Sequence, residues 1–184
     1  MPRSFAAQPM ADVDLLGRKL GEFVLRERIG AGGYGTVYRC EQPKLERDAV
    51  IKVLRPRRRR DVASERFVRE AQLASRLDHP YAARVYSFGV EDDGLRWIAM
   101  ELVQGATLGD WLQSRGPMPL AQFVPFVERV AQVVEAAPSR GIVHRDLKPS
   151  NIMPSSRSAF KADGDEGTRT RLATHFASVP VLES

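Results

Sequence analysis

The run Gly30-Ala31-Gly32-Gly33-Tyr34-Gly35 holds four glycines in six residues, and its flanks decide what the chain can build. A glycine loop that leads from a strand into a helix can hold a pyrophosphate on the helix N-terminus. Here Thr36-Val37-Tyr38-Arg39-Cys40 follows, a β-branched and aromatic run that favours a strand. Residues 23–29 have the same character, so the glycines join two strands. A plain hairpin satisfies that pattern. So does a loop folded over phosphates, which offers backbone N–H groups with no side chain in the way.

Further strand-like runs at residues 35–42 and 49–54 extend this start into an antiparallel meander. Asp61 or Ser64 then caps a helix that reaches Leu77, with Phe67, Glu70, Ala74 and Leu77 on one face. Glu70 is the odd member of that stripe. A carboxylate among apolar side chains is costly unless a cation meets it. Lys52, ending the apolar run Ala49-Val50-Ile51, lies one strand away and answers that need. Two more strand-like runs, 84–90 and 95–102, are joined by Glu91-Asp92-Asp93-Gly94, which has hairpin-turn chemistry. From Leu108 onward the pattern turns helical. Phe123, Val127, Val130, Val134 and Ala137 keep a helical period, and Pro125 marks either a start or a bend. Strands first and helices afterwards predict an α+β arrangement in two lobes.

The composition of this 184-residue chain, 43% hydrophobic and 28% charged, belongs to a globular protein and not to a disordered one. A single cysteine, Cys40, excludes an internal disulfide framework and reads as a small packed residue. The first twenty residues lack the apolar core of a signal peptide, and no run approaches the roughly 18 apolar residues that cross a bilayer. The expectation is a cytoplasmic protein with no membrane segment. The net charge of +5 is concentrated at Arg55 and Arg57 to Arg60. With no aromatic residues interleaved, that cluster reads as a solvated loop and not as a nucleic-acid site.

The segment His144-Arg145-Asp146-Leu147-Lys148-Pro149-Ser150-Asn151 resembles the catalytic loop of protein kinases at every motif position. Downstream of a glycine loop, Lys52 and Glu70, it makes the chain similar to a bacterial-type serine/threonine protein kinase from about Phe23 to Met153. The resemblance implies a small antiparallel β-sheet N-lobe with one regulatory helix, followed by a helical C-lobe. It implies ATP and Mg2+ as cofactors and a protein serine or threonine hydroxyl as phosphoryl acceptor. Catalytic roles then fall to Asp146, accepting the hydroxyl proton, and Lys148, neutralising the γ-phosphate. Lys52 holds the α- and β-phosphates and Glu70 orients it. Asn151 becomes a metal ligand. The nucleotide is expected against Ile29, Gly30, Gly32, Gly35, Val37 and Ala49. Met100 acts as gatekeeper, the backbone of Glu101 and Val103 meets the adenine edge, and Thr107 lies near the ribose. The implied division is a leader at 1–20, a nucleotide-binding lobe at 21–103, the start of the second lobe at 104–153 and an activation-segment remnant at 154–184.

The pattern departs from the family after Asn151. No Asp-Phe-Gly and no Ala-Pro-Glu occur, and the large helical lobe does not follow. Either Asp163 or Asp165 substitutes for the metal-binding aspartate, or that ligand is missing. The expected activity is ATP-dependent phosphoryl transfer to protein serine or threonine, in a weakened or inactive form. The alternative is a non-catalytic ATP-binding pseudokinase or partner-binding module.

Overall fold

The computed structural model describes residues 15–32, 35–54, 60–138, 141–142 and 147–154. The expectations on 1–14, Gly33, Tyr34, the arginines at 55–59, residues 143–146 and everything from 155 onward lie outside the described residues.

Six strands form one antiparallel sheet: β1 (Lys19–Leu20), β2 (Phe23–Gly32), β3 (Gly35–Gln42), β4 (Arg47–Leu54), β5 (Val85–Val90) and β6 (Arg96–Glu101). Their order is β1-β2-β3-β4-β6-β5, so the predicted meander occupies its centre. The Glu91-to-Gly94 turn forms as its residues suggest. Gly94 takes a φ of 80°, its N–H donates to the Glu91 carbonyl at 2.8 Å, and Glu91 N–H donates to Leu95 at 2.9 Å.

Side chains alternate across a strand, so the sheet has two faces. On one, Tyr38, Cys40, Ala49, Ile51, Val53, Trp97 and Ala99 pack with Phe23 and Leu25. On the other, Val50, Ile98 and Met100 pack with Phe67 and Ala71 of helix α1 (Arg60–Ser75). Burial on both faces explains why β4 and β6 read as nearly unbroken apolar runs.

The leader expected at 1–20 ends earlier than that. Leu15 and Leu20 are buried in the first cluster, and Lys19 and Leu20 pair with β2. Gly17 N–H donates to the Leu25 carbonyl at 2.9 Å. The strap is also tied to the far end of the sheet, where Arg18 meets Asp93 at 2.8 Å. Trp97 fills the space between. A Cβ on Gly89 would come within 2.7 Å of its ring, and one on Gly21 within 2.8 Å. Two isolated leucines carry no period, which is why the strap is not legible from the sequence alone.

Helices α2 (Leu108–Arg115) and α3 (Leu120–Ala136) begin the second layer. Pro125 neither starts nor ends α3, which begins five residues before it. A second core joins Ala74 and Leu77 at the end of α1 to Phe126, Val133 and Ala137 of α3, with Ile142 and Ile152. The expected apolar stripe is therefore only half right. Val130 and Ala137 face this core, but Phe123, Val127 and Val134 are 47%, 40% and 44% exposed. This helix is apolar around much of its circumference, so periodicity alone does not select the buried stripe.

Two expectations follow from this packing. Phe126→Ala should lower stability by about 3–5 kcal/mol, because it empties a core position. Phe123→Ala should change it by about 0.5 kcal/mol or less, as for exposed sites generally. Denaturant midpoints compare the two, and equal losses would contradict the orientation of α3. The second expectation concerns Asp93, whose carboxyl is held below its ordinary value by the hydrogen bond from Arg18 and then by Leu95 N–H. A lowered folded value means that its stabilisation is present above the unfolded pKa and is lost as pH falls through the folded one. Both side chains are partly exposed, so Asp93→Asn should cost about 0.5 kcal/mol near neutral pH. Thermal melts should show that gap closing below about pH 4 and shrinking in high salt.

Candidate functional site

Lys52 lies in β4, opposite Val37 of β3 and Ile98 of β6, and is only 6% exposed. Its neighbours two residues away, Val50 and Leu54, belong to the cluster that includes Phe67 and Ala71 of α1. With unbroken strand alternation, Lys52 shares that face and is directed toward α1. Glu70, half-buried, stands one helical turn after Phe67 and next to Ala71. The two residues thus occupy facing elements of one interlayer region, and neither is without a partner.

The glycine run forms the tip of the β2–β3 hairpin, with Gly30 opposite Val37, Ala31 opposite Thr36 and Gly32 opposite Gly35. Gly35 is required by the protein itself. Its φ is 155°, and a Cβ there would collide with the Val53 carbonyl. Gly30 is different. A Cβ there would meet nothing closer than Val37 at 3.9 Å. Packing of the described residues does not demand glycine at that position. Beside it Ile29 is 47% exposed, a large apolar side chain without internal cover.

The predicted adenine-side residues do not all share one face. Met100 pairs with Val50 and Val85, is buried, and lies on the face of Lys52. Ala49 does not. It is one residue out of phase with Val50, fully buried in the opposite cluster with Cys40 and Ile51. Val50, two residues before Lys52, is the one of the two that shares its face, as strand period two requires. Glu101 commits its N–H to the Arg84 carbonyl at 2.9 Å, and Val103 packs beside Ala83 and Met153. Cys40, on the far face, has its thiol pushed up to about 12 by burial, with the charge of Asp48 adding to the effect. It is a packing residue.

Thr107 is the N-cap of α2. Its hydroxyl donates to Asp110 Oδ2 at 2.6 Å and accepts from Asp110 N–H at 3.1 Å. The next amide, Leu108 N–H, donates to the Ile152 carbonyl at 2.7 Å. That bond, which nothing in the sequence announces, ties α2 to the 3-10 turn Pro149–Asn151. Asn151 ends this turn and is 4% exposed, whereas Lys148 before it is exposed. Asp146, Asp163 and Asp165 fall outside the described residues. Among the described residues no cluster of three or more His, Cys, Asp or Glu could hold a metal ion, and Asn151 would supply a single oxygen donor to Mg2+.

Comparison with known proteins follows the same outline. Residues 23–168 match the protein kinase domain. The chain is 37% identical over 175 residues to the serine/threonine-protein kinase PrkC of Bacillus subtilis, covering 90% of this chain and 26% of PrkC. It is 40% identical over 143 residues to PknB of Mycobacterium leprae, covering 76% of this chain and 23% of PknB. The chain thus spans about a quarter of the length of these curated relatives. It superposes on the crystal structure of the Mycobacterium tuberculosis PknI kinase domain with a TM-score of 0.74 at 28% identity, covering 91% of this chain and 64% of that one. The matched span contains the glycine hairpin, Lys52, Glu70 and the turn that ends in Asn151, and on that ground the chain belongs to the protein kinase family.

Proposed function

We propose that this chain binds ATP between the β2–β3 hairpin and the face of Lys52, as the nucleotide-binding part of a serine/threonine protein kinase. The observation that carries the reading is the buried lysine. A cationic side chain removed from water on a sheet face needs negative partners. Glu70 on the facing helix is one such partner, and the α- and β-phosphates of a nucleotide are the other. Ile29, Gly30, Val37 and Val50 then cover the base from one side, with Met100 at its inner end. The backbone of Glu101 and Val103 borders its edge.

In the transfer step, the substrate hydroxyl oxygen forms a bond to the γ-phosphorus while the bond to the β–γ bridging oxygen breaks, releasing ADP. Asp146 receives the hydroxyl proton, and Lys148 offsets charge on the transferred group. Mg2+, when bound, would neutralise charge on the β- and γ-phosphates, with Asn151 as one ligand. The acceptor is a serine or threonine of a protein, as the names of the relatives indicate. A cytoplasmic setting, where ATP is supplied, suits this chemistry, and no described helix is long and apolar enough to cross a membrane.

A second reading rests on one specific feature, the lack of an Asp-Phe-Gly tripeptide after Asn151. In that reading the chain binds ATP without efficient transfer. One set of measurements separates the two. ATP at 100 times its Kd should stabilise the chain by about 2.7 kcal/mol, read as a rise in Tm, and Lys52→Met should remove the rise. A kinase also labels a basic protein substrate from radiolabelled ATP, and Asp146→Ala abolishes labelling while keeping the thermal shift. A shift without labelling selects the non-catalytic reading. No shift in the unaltered chain would exclude both.

A further inference from the structure

We infer that Thr107 is a positioning residue for Asn151 and not a ribose ligand, an inference that rests on the nucleotide site proposed above. The resemblance to kinases implies that Thr107 lies near the ribose, where its hydroxyl would be a donor. In the structure that proton is committed. It goes to Asp110 Oδ2 at 2.6 Å, while the oxygen accepts Asp110 N–H at 3.1 Å. A threonine hydroxyl has one proton, so a single lone pair is all it has left to offer.

What the cap does instead is orient the first turn of α2. The first amides of a helix have no intrahelical acceptor. Thr107 satisfies the Asp110 amide, and Asp110 in turn accepts from Thr107 N–H at 3.4 Å. Leu108 N–H, also without an intrahelical acceptor, finds the Ile152 carbonyl at 2.7 Å. Ile152 immediately follows Asn151. On the other side, Asn151 N–H donates to the Lys148 carbonyl at 2.9 Å, so the asparagine is held from both directions. The path runs from the Thr107 cap, through Leu108 and Ile152, to the buried side chain proposed to hold Mg2+.

Three forms of the full chain test this: unaltered, Thr107→Ala, and Thr107→Asn, which keeps a strong N-cap acceptor without a hydroxyl. Amide hydrogen exchange of residues 147–154, measured without ligand, should quicken about tenfold in Thr107→Ala and return to the unaltered rate in Thr107→Asn. The gain in ATP affinity on adding Mg2+ should fall several-fold in Thr107→Ala and recover in Thr107→Asn. Preference for adenosine over 2′-deoxyadenosine should be the same in all three. Loss of that preference in both variants would overturn the inference in favour of a ribose contact. Exchange at 147–154 unchanged in Thr107→Ala, with only α2 fraying, would overturn it as well. An unaltered chain that binds no nucleotide would refute the ATP site itself, and the exchange comparison would still decide whether Thr107 holds Asn151.

Discussion

A lysine buried between a sheet and a helix organises this molecule. Lys52 is surrounded by Val37, Val50 and Ile98 on the sheet, with Phe67 and Ala71 on α1 above. Such a site destabilises the fold unless opposite charge is brought to it, and on the proposed reading Glu70 brings it from α1, which packs on this face of β4. Replacing the pair with apolar residues would pack equally well or better. What an apolar replacement cannot do is hold phosphate. The polar pair is therefore best understood as a site built at some expense to the core.

Helix α1 carries more than one duty. Phe67 and Ala71 pack on the sheet, while Ala74, in the last turn, and Leu77, just past the helix, share a core with Phe126 and Val133 of α3. Glu70 lies within the sheet-facing stretch, between Phe67 and Ala71. Ile152 shares the second core with the end of this helix. The same second core holds the residue after Asn151. Helix α1 thus contributes residues to both of these clusters.

Much of this was legible in the residues. The glycine run between two β-prone segments marked the join between two strands, and Gly35–Gln42 was bounded correctly because glycine opens it and proline closes it. Glu70 was recognisable because one carboxylate broke an apolar stripe. Other features were hidden for identifiable reasons. Leu15 and Leu20 are too sparse to show a period, and their role depends on Trp97 meeting Gly21 and Gly89 from distant positions. Ala49 was placed on the wrong face because its resemblance to a motif outweighed strand alternation, which points to Val50. The buried stripe of α3 was misjudged because two apolar stripes compete on it. The hydrogen bond from Leu108 to Ile152 joins backbone atoms, and backbone atoms leave no mark on the sequence.

Nucleotide binding and phosphoryl transfer depend on different physical resources in this chain. Binding draws on the sheet: a hairpin without side chains, apolar walls and a lysine whose charge acts in a poorly solvated place. At 4 Å two unit charges interact by about 4 kcal/mol at an effective dielectric of 20, against about 1 kcal/mol in bulk water. Lys52 belongs to the first regime and the exposed Lys148 to the second. Transfer needs the second kind of site as well, because charge that develops on the moving phosphoryl group must be offset where it appears. Two lysines do not balance a triphosphate, and a metal held by one asparagine oxygen is weakly held. A further carboxylate would strengthen that hold. On the proposed reading, nucleotide binding rests on the sheet, and efficient transfer rests in addition on a carboxylate from the segment after Asn151.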